Sequence, residues 1–193
     1  MSRPSNREKI LETGLRVVHE RGFAGASVRD IVQAAGVPQG SFTNHFASKE
    51  AFAIEVVDLY FEQTRATLNA TLGDMSRPPL QRVRAYIAAR KASLLRAGLH
   101  KGCLFGNLTA EASEQSEPIR TRMVEVFATV RERLAACLRD AVAAGEVRGD
   151  LDCEEVAACM VAALQGAILL AKAERDLAPI ERFEKLLFQY VLR

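Results

Sequence analysis

Amide and hydroxyl side chains are concentrated in one short stretch of the chain, PQGSFTNH at residues 38–45. An amide can pair with the edge of adenine through two hydrogen bonds, and a hydroxyl can reach base edges or phosphates. The side chains of these two types are Gln39, Ser41, Thr43 and Asn44. Gly40 would let a helix backbone approach a duplex closely. His45 has no second metal ligand at helical spacing, so we expect neither a metal site nor catalysis there. The amide and hydroxyl side chains of this stretch instead indicate noncovalent contacts with nucleic acid.

The net charge does not identify a nucleic-acid partner by itself. The chain carries 26 Lys or Arg and 24 Asp or Glu, a net charge of +2, which is too mild to indicate DNA. Residues 1–49 are more basic, with seven Lys or Arg against four acids. The basic bias therefore lies in the part of the chain that contains the polar stretch, where a phosphate backbone would be.

Three short helices are predicted around this polar stretch. An apolar face covers residues 7–21 and stops at Gly22, a residue suited to a helix end. Ser27 is the predicted N-cap of a helix over residues 28–35, and a third helix follows Pro38 to about residue 45. The apolar residues that would close this core are Ile31, Val32, Val37, Phe42 and Phe46. The proportions are those of a helix-turn-helix, although a compact three-helix element without a DNA partner would show the same periodicity.

The rest of the chain also has helical periodicity, and alternating β-branched residues are absent over any useful length. Turn and cap residues divide it into six further helices, at about residues 49–72, 80–98, 104–112, 117–145, 153–173 and 179–192. The sequence therefore predicts an all-α protein of nine helices.

The run GFAGASVRDIVQAAGVPQGSFTNHFASKEAF, residues 22–52, resembles the TetR family of one-component transcriptional regulators. The residues that stand at the family's turn, recognition helix and following helix are Gly36, Gly40, Phe46, Ser48 and Lys49. The nine predicted helices and the run GEVRGDLDCEEVAACMVAALQGA extend the resemblance loosely to the C-terminus. It implies a homodimeric DNA-binding regulator, usually a repressor, that leaves a palindromic operator when a small molecule binds.

The resemblance also implies a division of labour along the chain. A helix-turn-helix DNA-binding domain would occupy residues 1–48, and an effector-binding and dimerisation domain residues 49–193. The candidates for base or nearby contacts are Gln39, Ser41, Thr43 and Asn44, with Gly40 allowing close approach. The candidates for phosphate contacts are Ser27, Arg29, His45 and Lys49. Thr43 departs from the family, because most members carry there a Tyr that contacts phosphate.

The last two predicted helices carry small and apolar residues on more than one face, so they must be buried. A partner subunit is the expected cover, and the resemblance implies a four-helix dimer interface. Core packing within a monomer is the alternative. The apolar run 156–171 is shorter than the roughly 20 residues of a membrane helix, and no signal-peptide pattern begins the chain. We therefore expect a cytoplasmic protein with no membrane contact.

The helices between the two ends could enclose an effector cavity. Its polar and aromatic wall candidates are Tyr60, Tyr86, Phe105, Asn107, Glu111 and Phe127. Most of them stand at apolar-stripe positions, where plain core packing is the alternative explanation. No cofactor is indicated, and the operator sequence and the effector are not identified by the sequence.

Cys103 lies between Gly102 and a predicted short helix, where N-terminal amides could face its sulfur. His100, Lys101 and Lys172 are the expected basic neighbours, and such neighbours favour a reactive thiolate. The run KGCLFGNLTAEASEQSEPIRTRM resembles electrophile-sensing TetR members of the N-ethylmaleimide repressor type. A redox or electrophile sensor and a structural thiol both remain open for Cys103. The other three cysteines are expected to be structural thiols rather than disulfide partners.

Two other classes of function remain as alternatives. An enzyme could use one activated thiol, but the sequence has no Cys, His and acid arrangement, phosphate-binding glycine loop or paired carboxylates. We therefore expect no catalytic residues. A DNA-architectural protein would bind without confinement to one palindrome and without release by a ligand.

Overall fold

The computed structural model describes residues 5–112 and 114–193, and within them the chain is helical with no strand. The predicted all-α class with nine α-helices is confirmed for this part of the chain. The helices are α1 (Asn6–Gly25), α2 (Val28–Ala35), α3 (Gly40–His45), α4 (Lys49–Thr71), α5 (Pro79–Ala97), α6 (Leu104–Ala112), α7 (Glu117–Ala143), α8 (Cys153–Glu174) and α9 (Ala178–Leu186). A 3₁₀ turn at Leu99–Lys101 precedes α6, and a π-helical turn at Leu187–Val191 follows α9.

The chain forms two compact units. The N-terminal unit comprises Met1–Gln63 with Leu104–Val124, and the C-terminal unit comprises Thr64–Cys103 with Glu125–Arg193. Helices α4 and α7 each contribute residues to both units. The N-terminal unit includes a segment from later in the chain, in which α6 packs against α1.

Local capping signals define the helices of the N-terminal unit. Ser27 caps α2 through a capping box with Asp30, and Gly36 ends α2 in the left-handed conformation at φ 64°. Helix α3 begins at Gly40, two residues after Pro38. The core between these helices contains Phe42, Phe46 and Phe52, whose ring centroids lie 5.0 to 5.2 Å apart. Ile10 and Ile31 are fully buried in the same unit, as the apolar faces require.

Gly22 interrupts the regular backbone of α1, with φ 78° and ψ 167° inside the helix. The predicted stop at Gly22 is therefore a break, and a last turn continues to Gly25. A positive φ of this size is readily adopted only by glycine. The backbone from Gly22 to α2 thus forms a fixed turn between the first two helices, which we call the α1–α2 turn (residues 22–27).

The C-terminal unit is held together by apolar packing and by ion pairs, one of which joins a buried arginine to a partly exposed aspartate. Arg82 is 2% exposed, and its guanidinium donates to the Leu72 carbonyl at 3.1 Å and to the Asp140 carboxylate at 2.7 Å. Asp152 caps α8 by accepting the Glu155 N–H at 3.1 Å. Lys91 binds Glu184 at 2.7 Å and so joins α5 to α9.

Large apolar side chains remain exposed along α8, α9 and the π-helical turn. They are Leu169, Leu170, Leu186, Tyr190 and Val191, with exposed fractions from 41% to 70%. The same face contains an apolar groove of about 390 Å³, lined by Glu155, Val156, Cys159, Met160, Ala163, Phe183, Leu186, Leu187 and Val191. By length and composition alone α8 could also cross a membrane, a test that the core helix of a soluble protein passes equally.

Candidate nucleic-acid interface

Helix α3 has one polar exposed side and one buried side. Gln39, Thr43, Asn44 and His45 are exposed, whereas Phe42 packs into the core. Ser41 is 8% exposed and lies on the same buried side of this short helix as Phe42. The structure therefore separates Ser41 from the other predicted base-contacting side chains.

Two features of α3 adjust the surface that faces solvent. The Thr43 hydroxyl donates to the Gly40 carbonyl at 3.1 Å, so its proton is used within the helix. A Cβ at Gly40 would meet no atom within 4 Å. Gly40 is thus not required by packing within the described chain.

The N-terminus of α2 is organised by the Ser27 and Asp30 pair. The Ser27 hydroxyl accepts the Asp30 N–H at 3.1 Å, and the Asp30 carboxylate accepts the Ser27 N–H at 3.1 Å and the Ser27 hydroxyl. Hydrogen bonds from the Ser27 side chain and backbone lower the pKa of Asp30. Arg21 pairs with Asp30 at 3.3 Å, and Arg29 is exposed. Ser27 therefore acts first as a helix cap, and Arg29 is an exposed cation at this helix end, with no ion pair among the described residues.

Lys49 lies in the first turn of α4, after Ser48, whose hydroxyl accepts the Ala51 N–H at 3.0 Å. The Lys49 ammonium lies 4.6 Å from the centroid of the Phe23 ring, a cation–π contact. Partial burial lowers the pKa of Lys49, and the charge of Glu111 acts in the opposite direction. Lys49 is half-buried and held beside the α1–α2 turn.

Glu111 has a different position from the one expected of an effector-cavity wall. Its side chain is on the exposed surface of the N-terminal unit, in the last turn of α6. The carboxylate accepts the backbone N–H of Phe23 at 2.7 Å and that of Ala24 at 3.4 Å. The sequence carried no signal for this contact, since residues 23 and 111 are 88 positions apart.

The other predicted cavity residues are divided between the two units. Tyr60, Phe105 and Asn107 belong to the N-terminal unit, where the Tyr60 and Phe105 rings pack edge to face at 4.8 Å. Tyr86 and Phe127 belong to the C-terminal unit, as does Lys172, which was expected as a neighbour of Cys103. Phe105 and Tyr86 are buried, and the other four are half-buried. Burial raises the pKa of Tyr86, against the effect of the neighbouring Arg90.

Cys103 is buried, with 3% of its surface exposed. Its Sγ accepts hydrogen bonds from Arg90 Nη2 at 3.6 Å and Gln165 Nε2 at 3.7 Å. Neither donor was expected from the sequence, because Arg90 lies on α5 and Gln165 on α8, whereas Cys103 lies in the link before α6. Lys172 lies beside Gly102, because a Cβ added at residue 102 would be 3.0 Å from the Lys172 Cδ. His100 is exposed. A guanidinium beside sulfur is a feature of cysteines that react as nucleophiles.

The other cysteines are all free thiols. Burial raises the pKa of Cys137 to about 11, and burial also raises the pKa of Cys153. Cys159 is exposed in the apolar groove, which differs from the buried position expected of it. Among the described residues no group of three or more His, Cys, Asp or Glu could hold a metal ion.

Two family models match this chain. The model described as "Bacterial regulatory proteins, tetR family" matches residues 10–56, which include α2 and α3. The model described as "Tetracyclin repressor-like, C-terminal domain" matches residues 79–187. Together they cover both the polar face of α3 and the apolar face of α8 and α9.

Known proteins resemble the chain over nearly its whole length. The HTH-type transcriptional repressor DhaR of Mycobacterium sp. (strain GP1) is 37% identical over 192 residues, which cover 100% of this chain and 95% of that protein. NemR, a transcriptional repressor of Escherichia coli (strain K12), is 31% identical over 179 residues, which cover 91% of this chain and 88% of that protein. The crystal structure of a regulatory protein from Rhodobacter sphaeroides has a TM-score of 0.88 at 30% identity, and the match covers 93% of this chain and 95% of that chain. The crystal structure of reduced E. coli NemR has a TM-score of 0.78 at 28% identity, and the match covers 92% of this chain and 93% of that chain.

Proposed function

Because the chain belongs to the TetR family of transcriptional regulators, we propose that it binds a palindromic DNA operator as a homodimer and represses transcription until an effector releases it. The observation that carries this proposal is the two-sided α3, which exposes Gln39, Thr43 and Asn44 on one side and buries Phe42 on the other. A polar side chain on a rigid, core-anchored helix can enter the major groove in one register.

The roles follow from the chemistry of the exposed groups. Gln39 and Asn44 pair with base edges, preferably adenine, through their amides. Thr43 presents its methyl group beside them, since its hydroxyl donates within α3. Arg29, His45 and Lys49 contact phosphates, which position the helix without reading sequence. Such a regulator works where the chromosome is, so we place it in the bacterial cytoplasm.

The test compares Gln39→Ala with Lys49→Ala. The parent protein first selects duplexes from a randomised DNA library, and each variant is then measured on the selected duplex and on a mixed-sequence duplex of equal length. We expect Gln39→Ala to lose about 1–3 kcal/mol of preference for the selected duplex, because one bidentate amide contact is removed. We expect Lys49→Ala to weaken binding to both duplexes and to flatten the salt dependence by about one unit.

Gln115→Ala is the matched control, because Gln115 is an exposed glutamine of the same unit outside α2 and α3. It should bind both duplexes as the parent does. Parental affinity and parental sequence preference in both test variants would contradict the assignment of α3 and Lys49 to DNA.

We also propose that the effector signal includes attack of the Cys103 sulfur on an electrophile. With N-ethylmaleimide the sulfur forms a bond to one alkene carbon, the π electrons move to the adjacent carbonyl, and the resulting enolate takes up the proton that the thiol lost. Arg90 and Gln165 support this role because both direct N–H groups to the sulfur. The competing role is a structural thiol, which the burial of Cys103 favours.

The homodimer is proposed on the exposed apolar face of α8, α9 and the π-helical turn. This face carries Leu169, Leu186 and Tyr190 in solvent, at 65%, 57% and 70% exposure. Apolar patches of this kind mark protein interfaces. An isologous dimer through this face would present two α3 helices, which must lie about 34 Å apart to enter successive major grooves.

A further inference from the structure

Glu111 connects α6 to the α1–α2 turn through its carboxylate. Oε2 accepts the Phe23 N–H at 2.7 Å and the Ala24 N–H at 3.4 Å. These two amides follow the break at Gly22, where the helical backbone pattern is interrupted. A side chain from a distant part of the chain thus satisfies donors that the break in α1 leaves available.

The same carboxylate lies directly against Gly22. A Cβ at residue 22 would lie 2.5 Å from Glu111 Oε1 and 2.6 Å from Oε2. Its φ of 78° independently favours glycine. The close approach of Glu111 and the positive φ of the turn therefore both require that residue 22 has no side chain.

Lys49 is the third partner in this arrangement. Its ammonium lies over the Phe23 ring at 4.6 Å, and the Phe23 N–H donates to Glu111. Both side chains thus contact Phe23, and the charge of Glu111 raises the pKa of Lys49 against the effect of burial. Phe23, Glu111 and Lys49 form one cluster, which we call the Glu111 cluster.

We propose that Glu111 is a positioning residue that fixes the α1–α2 turn and limits the hold of Lys49 on DNA phosphate. This rests on the proposed function, in which Lys49 contacts phosphate. The carboxylate and a phosphate attract the same ammonium, so a Lys49 that binds DNA gives up part of its interaction with Glu111. The hydrogen bonds to Phe23 and Ala24 orient the turn that leads to Ser27 and α2.

The two contributions of Glu111 are separable by substitution. Glu111→Gln keeps a side-chain oxygen that can accept the Phe23 N–H but removes the charge, whereas Glu111→Ala removes both. Glu114→Gln is the matched control, because it makes the same charge change at an exposed residue three positions further along the chain. Lys49→Met removes the ammonium and keeps an unbranched side chain that can cover Phe23.

Amide hydrogen exchange without DNA tests the hydrogen bonds. In Glu111→Ala the amides of Phe23 and Ala24 should exchange about tenfold faster than in the parent, because a charge-assisted hydrogen bond is lost. Glu111→Gln should show a smaller increase, and Glu114→Gln none. Parental exchange at both amides in Glu111→Ala would overturn the positioning role.

Salt-dependent DNA binding tests the charge, using the library-selected duplex and a mixed-sequence duplex. Glu111→Gln should bind both about two- to five-fold more tightly than the parent at low salt, with a salt dependence steeper by up to about one unit. In the Lys49→Met background the same substitution should have only the effect of Glu114→Gln. An equal gain in both backgrounds would show that Glu111 does not act through Lys49.

The outcomes distinguish this proposal from the proposed function. If the parent selects no duplex from the library, the operator-binding function fails, and amide exchange still decides whether Glu111 holds the turn. If the parent selects a duplex but the variants show neither change, only the role of Glu111 fails.

Discussion

At the scale of single residues, the side chains proposed to contact DNA differ in exposure and in whether their polar groups already form hydrogen bonds within the protein. Gln39 and Asn44 are exposed on α3 and are available for base edges. Ser27 is committed to capping α2, and Thr43 donates within α3. Ser41 is buried beside Phe42. Discrimination between bases is therefore expected to come mainly from the two amides, with Thr43 contributing its methyl group.

Cys103 is the residue on which the proposed chemical input can be tested. N-ethylmaleimide should release the parent protein from its selected duplex, and Cys103→Ser should remain bound at least tenfold longer, because serine is a far weaker nucleophile. The measurement is the DNA-bound fraction over time after addition of the reagent. Cys153→Ser serves as the control, since Cys153 is a second buried free thiol outside the apolar groove and its replacement should leave the response intact. Release of Cys103→Ser at the parental rate would leave Cys103 a structural thiol.

At the scale of elements, short helices depend on their ends. Helix α2 has eight residues and α3 has six, lengths at which an isolated helix is unstable. The Ser27 and Asp30 box, the left-handed Gly36 and the buried Phe42 stabilise them together. The Glu111 hydrogen bonds add a tertiary contact at the start of the same assembly.

The capping box of α2 makes a prediction about stability and pH. Ser27→Ala should lower the free energy of unfolding by about 1 kcal/mol at neutral pH, because the Asp30 N–H loses its acceptor. Since hydrogen bonds lower the folded-state pKa of Asp30, the stability that its ionised carboxylate contributes is present above the unfolded pKa. It is lost as the pH falls through the folded-state pKa.

Urea unfolding of the parent and of Asp30→Asn across the acidic range measures this effect. The difference between the two proteins should shrink with falling pH. Asp150→Asn is the control at an aspartate that is 80% exposed, and its difference from the parent should not change in the same way. A constant difference for Asp30→Asn would mean that the Asp30 charge does not stabilise α2.

At the scale of the whole molecule, the two units divide the proposed work. The N-terminal unit contains the polar face of α3 and the Glu111 cluster, and the C-terminal unit contains Cys103 and the apolar face of α8 and α9. Membership of the TetR family accounts for both faces in one chain. Affinity for a palindrome depends on the second copy, because two α3 helices bind together.

The apolar face predicts the oligomeric state. Leu186→Glu should shift the protein from dimer to monomer in sedimentation, because a charge in an apolar interface is costly to desolvate. The same variant should lose most of its affinity for the selected duplex. Leu95→Glu is a matched control, because Leu95 and Leu186 are both 57% exposed and Leu95 lies on α5. A dimer that persists in Leu186→Glu would place the interface elsewhere.

The sequence by itself determined the helices and the polar side of α3. Caps, glycine stops and apolar spacing act within four residues, so Ser27, Gly36 and Phe42 carry their own structural consequences. The pattern around α3 was therefore sufficient to predict the family and the exposed polar side of α3, including Gln39 and Asn44.

Only the tertiary structure decided which distant groups meet. Glu111 was expected beside an effector and instead binds the α1–α2 turn, 88 residues away in the chain. Arg90 and Gln165, from α5 and α8, donate hydrogen bonds to the Cys103 sulfur, and neither was among the neighbours expected from the sequence. A carboxylate or guanidinium at a helix surface has no local signature of its partner, because packing between helices selects that partner after each helix has formed.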